Sequence, residues 1–100
     1  MADPADGSVS AVGDVTVRYW AAARSAAGVE AETVPVGDGA TLADVLATVR
    51  LRHGARSRLA DVLAVCSVLV GDRPVGSRAP EDVPVWPGET VEMLPPFAGG

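Results

Sequence analysis

Few side chains in this sequence could do covalent chemistry, and the most suggestive reactive group belongs to the backbone. It is the carboxyl group of Gly100, which follows Gly99 at the close of VEMLPPFAGG. Gly99 and Gly100 have no side chains, so they could thread a channel too narrow for any other residue and take whatever dihedrals it imposes. A carboxylate is a poor acyl donor near neutral pH, so chemistry there requires ATP to convert it to an acyl-adenylate before a sulfur nucleophile attacks. The chain has no phosphate-binding GxxxxGKS loop, so the activation has to come from a partner.

The other candidates are weaker. Cys66 is the single cysteine; it can form no internal disulfide and has no second thiol to share a metal with, which fits a reducing compartment. It lies in the apolar run Val65 to Val70, where a free cysteine is ordinarily an inert core residue. His53 is expected to complement the negative end of a helix rather than act as acid or base. No spacing of His, Cys and carboxylates suggests a metal site. Arg50, Arg52, Arg56 and Arg58 form the one basic cluster; the default is a solvated face, the functional alternative an acidic patch on a partner. Phe97 and Trp86 are candidate interface anchors near the tail, with burial against the sheet equally open for Trp86.

The elements that must position the tail can be read from periodicity. Residues 1–14, rich in Ala, Asp, Gly and Ser, read as a disordered leader. From Val15 the chain alternates, Val15, Val17 and Tyr19 against Thr16 and Arg18, as a half-buried strand does. The alanine-dense AAARSAAG predicts a short helical turn or loop stopped by Gly28. Glu30 to Val36 alternates again, with Pro35 marking an edge because it cannot donate to a ladder. Thr41 and Asp44 form a capping-box-like pair ahead of Leu42, Val45, Leu46 and Val49, one apolar helical stripe ending at His53 and Gly54. Arg56 to Leu63 predicts a second helical turn and Ala64 to Val70 a strand. Gly71, Asp72 and Arg73 turn the chain into Pro74 and Val75. After the turn-rich stretch from Gly76 to Pro87, Thr90 to Leu94 is the last strand, with Val91 and Met93 on one face.

This order predicts an α+β domain over residues 15–94, a mixed sheet of four to five strands covered by one main helix. A right-handed crossover would bring the last strand beside the first. Pro95 and Pro96 have no backbone donors and favour an extended path, so the ladder should stop there. The six residues 95–100 could then reach roughly 19 Å beyond the domain.

Composition narrows the function. One hundred residues make about one domain. No stretch approaches the roughly 20 apolar residues of a membrane helix, and MADPADGSVS lacks the features of a signal peptide, so a cytoplasmic protein away from membranes is expected. A net charge of −5 argues against nucleic acid as a partner. All eight basic residues are Arg, so no lysine is present as an isopeptide acceptor.

The ending VEMLPPFAGG, preceded by Gly88 and Glu89, resembles the small-subunit family of molybdopterin synthase, within the MoaD/ThiS sulfur carriers, where a strand leads through Pro-Pro-x-x-Gly-Gly. The start VTVRYWAAARSAAG is similar to that family's first strand and turn, with Arg24 and Gly28 in matching places. The similarity spans roughly residues 15–100. It departs in the leader, in Trp20 where Phe is common, and in a longer loop between Arg78 and Pro87.

The resemblance implies a ubiquitin-like β-grasp fold. It further implies a C-terminal glycine that an E1-like enzyme adenylates with ATP and a sulfurtransferase system converts to a thiocarboxylate. Gly100 would bear the sulfur, Gly99 would pass through the channel, and Pro95, Pro96, Phe97 and Ala98 would approach the partner. That partner would be the large subunit of molybdopterin synthase, in a heterotetramer, with no cofactor bound to this chain and no standalone catalysis. Two alternatives stay open: the same carrier chemistry serving thiamine thiazole or cysteine synthesis, and a β-grasp adaptor that never carries sulfur.

Overall fold

The computed structural model describes residues 12–96. Within them the chain runs β1 (Gly13–Tyr19), α1 (Ala21–Ala27), β2 (Ala31–Val36), α2 (Leu42–His53), α3 (Arg58–Leu63), β3 (Ser67–Val70), β4 (Arg73–Pro74), a 3-10 turn (Pro80–Asp82) and β5 (Thr90–Leu94). Most of the expected leader lies outside the described residues. Strand pairing begins at Gly13, earlier than the alternation suggests, with Gly13 opposite Val36 and Asp14 opposite Pro35. Those two positions carry no apolar side chain to reveal the strand.

The five strands form one sheet in the order β2-β1-β5-β3-β4. β1 is antiparallel to β2 but parallel to β5, with Val17 opposite Val91 and Tyr19 opposite Met93. A parallel pair needs a long crossover, which the chain between β1 and β5 supplies. The last strand therefore lies beside the first, as the element order requires. Strand β2 is at an edge, where Pro35 costs no ladder bond.

Helix α2 forms because its start and its stripe agree. Thr41 Oγ1 accepts from the Asp44 amide while Asp44 Oδ2 accepts from the Thr41 amide at 2.8 Å, a reciprocal cap. Leu42, Val45, Leu46 and Val49 are all buried, as are Val15, Val17, Val34, Val91 and Met93 on the sheet face they cover. Burying each such Val, Leu or Met side chain contributes about 1.5–3 kcal/mol before entropy is counted. Among the described residues no polar or charged residue is fully buried.

One expectation changes and another gains detail. The apolar run from Ala64 is not all strand: Ala64 and Val65 turn out of α3, Val65 is 61% exposed, and β3 starts only at Ser67. Apolar composition cannot distinguish a helix exit from a strand entry when the run is this short. The turn-rich stretch from Gly76 to Pro87 is also strapped to the start of α2. Val83 O accepts from the Leu42 amide at 2.8 Å, and the Val85 amide donates to Ala40 O at 3.0 Å. Val83 and Val85 are buried as a result.

Candidate functional site

The root of the tail is held from both sides. β5 pairs with β1 and with β3, the last antiparallel partners being Ser67 and Leu94, and the Trp20 amide donates to Met93 O at 3.2 Å. Strand pairing stops at Leu94, in step with the missing donors of Pro95 and Pro96. Pro95 is nevertheless buried, because it continues the alternation that buries Val91 and Met93. Pro96 is exposed. Pro95 therefore still packs with the domain, one residue past the last strand pair. Phe97, Ala98, Gly99 and Gly100 lie outside the described residues.

At the same end of the sheet sits a polar cluster that the sequence did not announce. Glu32 of β2 accepts from Tyr19 Oη of β1 at 2.6 Å, contacts His53 Nε2 at 2.7 Å and pairs with Arg52 Nη1 at 3.1 Å. Arg52 also donates to Thr33 O at 2.7 Å. Burial acts to raise the Glu32 carboxyl, but the hydrogen bonds from Tyr19, His53 and Arg52 outweigh it and hold the group below the usual carboxylate range. An ionised carboxylate only accepts, so His53 carries a proton on Nε2. Burial, then the bond to Glu32, pushes the Tyr19 phenol well above its ordinary value. His53 therefore ties the end of α2 to the sheet, beyond its expected role at a helix terminus. The available signal was an acidic residue at an inward strand position, Glu32, in line with Val34 and Val36.

The sheet face away from the core carries a second array beside the tail root. Trp20 Nε1 donates to Glu92 Oε1 at 3.0 Å, and the Arg18 guanidinium lies 5.4 Å from the Trp20 ring centroid. Trp20, which departs from the resemblance noted above, is 39% exposed. Trp86 is exposed as well, at 51%, which decides against burial on its own sheet.

Cys66 is half-buried and packs against the core from the position before β3. Burial pushes its thiol up to about 11, the opposite of what a sulfur nucleophile needs. Of the four clustered arginines, Arg52 is engaged by Glu32, whereas Arg50, Arg56 and Arg58 are exposed.

A mixed sheet with a central parallel pair, the helix α2 across its face and a last strand lying beside the first define a ubiquitin-like β-grasp protein. The chain belongs to the ThiS family, whose model matches residues 17–100. It is 34% identical over 89 residues to the molybdopterin synthase sulfur carrier subunit of Chlamydomonas reinhardtii, covering 86% of this chain and 98% of the relative. Two solved structures share the fold. The putative molybdopterin converting factor subunit 1 of Pyrococcus furiosus superposes with a TM-score of 0.68 at 24% identity, over 84% of this chain and 98% of that one. SAMP1 of Haloferax volcanii does so with a TM-score of 0.70 at 22% identity, over 88% of this chain and 100% of that one.

Proposed function

We propose that this chain is the sulfur-donating small subunit of a molybdopterin synthase, carrying sulfur as a thiocarboxylate on Gly100. The observation that carries the reading is family membership through a match that runs to Gly100, joined to 34% identity with a sulfur carrier subunit over nearly the whole of that relative. The rigid root of the tail supports it. β5 is anchored between two strands, so the chain from Pro96 onward has a fixed origin and about 16 Å of reach.

A Gly100 carboxylate oxygen bonds to the α-phosphorus of ATP on an E1-like partner, and pyrophosphate leaves. The outer sulfur of a sulfurtransferase persulfide then attacks the acyl carbon, and AMP departs with the bonding pair. A partner thiol attacks the inner sulfur of the resulting acyl disulfide, breaking the S–S bond to leave the Gly100 thiocarboxylate and a disulfide on the partner. The large subunit next receives the tail and passes its sulfur to a pterin precursor. This chain supplies position and a narrow end; the activating groups and ATP belong to its partners.

Mass spectrometry of the intact protein, produced with its adenylating enzyme and sulfurtransferase, tests this. The expected result is one oxygen replaced by sulfur at Gly100, lost when Gly99 and Gly100 are deleted. An unchanged mass under active adenylation overturns the reading. Co-purification with a thiazole or cysteine synthase in place of a large synthase subunit would retain the carrier chemistry and move it to another pathway.

A further inference from the structure

The last turn of α2 and the turn into α3 gather Arg50, Arg52, Arg56 and Arg58 on one corner. The corner is compact: the Gly54 amide donates to Arg50 O at 2.7 Å and the Ser57 amide to Gly54 O at 3.1 Å. Arg52 is spent on Glu32 and Thr33. Arg50, Arg56 and Arg58 are exposed and form no ion pair among the described residues, although Asp61 lies close to Arg58 in the chain.

Between Arg50 and Arg52 stands Leu51, 85% exposed, the most exposed large apolar residue among those described. It sits about 200° around the helix from buried Val49, so it projects away from the core. An exposed apolar side chain beside unpaired positive charge has the makeup of an interface anchor rather than of a solvated helix face. Position gives it meaning. His53 and Arg52 bond to Glu32, Glu32 bonds to Tyr19, and Tyr19 lies opposite Met93, so this corner is at the end of the sheet where β5 finishes.

We infer that Arg50, Arg56 and Arg58, together with exposed Leu51 on the last turn of α2, form a docking surface for an acidic protein surface with a small apolar socket on the adenylating partner. The inference rests on the carrier reading above. A carrier that visits several proteins needs fast encounter more than tight binding, and a local patch of charge opposite in sign to the rest of an acidic chain orients such an encounter. Nucleic acid is the less fitting anion, because the net charge of −5 opposes its approach.

Carrier-dependent ATP–pyrophosphate exchange by the adenylating enzyme tests the surface, using the full chain, Arg50→Gln/Arg56→Gln/Arg58→Gln, and Leu51→Gln, with thermal unfolding to verify folding. The triple variant should lose about tenfold to a hundredfold in kcat/KM through a higher KM at unchanged kcat, and its salt dependence should flatten. Leu51→Gln should raise KM while keeping the steep salt dependence. Kinetics within twofold of the unsubstituted chain for both folded variants would overturn the docking surface alone. No exchange with the unsubstituted chain would remove the carrier reading and this surface with it. Retained exchange kinetics together with an oligonucleotide complex lost in the triple variant would assign the patch to nucleic acid instead.

Discussion

Glu32 Oε2 lies 2.7 Å from His53 Nε2, a contact that binds the edge strand β2 to the last turn of α2. The same oxygen receives the Tyr19 hydroxyl at 2.6 Å, so one carboxylate joins two strands and the helix at the end of the sheet where β5 finishes.

Stability should depend on pH through this carboxylate. Because the folded state holds Glu32 below its ordinary value of 4.5, its contribution is complete above about pH 4.5 and is lost as pH falls through the lower folded value. Glu32→Gln should cost about 1–3 kcal/mol at pH 7 and shallow the acid limb of the stability profile. Urea unfolding from pH 7 down to pH 3 checks it; an identical acid limb in the variant would contradict the assignment.

Tyr19 governs the alkaline side. Its phenol titrates near 10 when unfolded and higher when folded, so the bond's contribution is present below pH 10 and declines as pH rises past it. Tyr19→Phe should be less stable at pH 8 and lose less stability than the parent between pH 9.5 and pH 11. Circular dichroism melts over that range provide the comparison.

The free edge of β2 is protected by two residues. Glu30 O accepts from the Tyr19 amide and Val36 O from the Val12 amide just before β1, so by alternation Thr33 and Pro35 direct their backbone groups outward. Pro35 offers no N–H there, and Arg52 covers Thr33 O at 2.7 Å. Pro35→Val combined with Arg52→Ala should expose a pairing edge and cause concentration-dependent association. Light scattering coupled to gel filtration would show a rise in mass relative to the parent chain; equal masses across concentration would refute the role of these residues.

Gly13 is required for close approach. A Cβ at this position would lie 2.8 Å from Pro87 Cβ, whose ring is rigid. Gly13→Ala should therefore destabilise the fold by about 1–3 kcal/mol, an overpacking cost. At Gly39 nothing lies within 4 Å, but φ is +77°, so Ala there is penalised by the backbone instead. Comparing the two variants with Gly→Ser at each site separates crowding from backbone strain: crowding worsens with size at residue 13 and stays level at residue 39.

Cys66 should be dispensable. With its thiol pushed up to about 11 by burial, only about one molecule in ten thousand is a thiolate at pH 7. Cys66→Ser should leave sulfur loading on Gly100 unchanged, and alkylation by iodoacetamide should be far slower than for free cysteine. Loss of loading in a folded Cys66→Ser protein would give the thiol a part that its surroundings argue against.

Much of the architecture was legible because it is written locally. The Thr41 cap, the stripe from Leu42 to Val49, the alternation of β1 and β5 and the edge mark of Pro35 depend on neighbours three or four residues away, or on a single residue's stereochemistry. Such signals survive without knowledge of the fold, and the end of the β5 ladder ahead of Pro95 and Pro96 belongs to the same class. Tertiary structure alone decided the rest. It drew Glu32, Tyr19 and His53 into one cluster, buried Pro95 in continuation of Met93, made a strap of Val83 and Val85, and left Leu51 facing solvent between arginines. These outcomes depend on which distant segments come together, β1 with β2 and the end of α2, β5 with β1, and the strap with the start of α2, and no local periodicity encodes such partners.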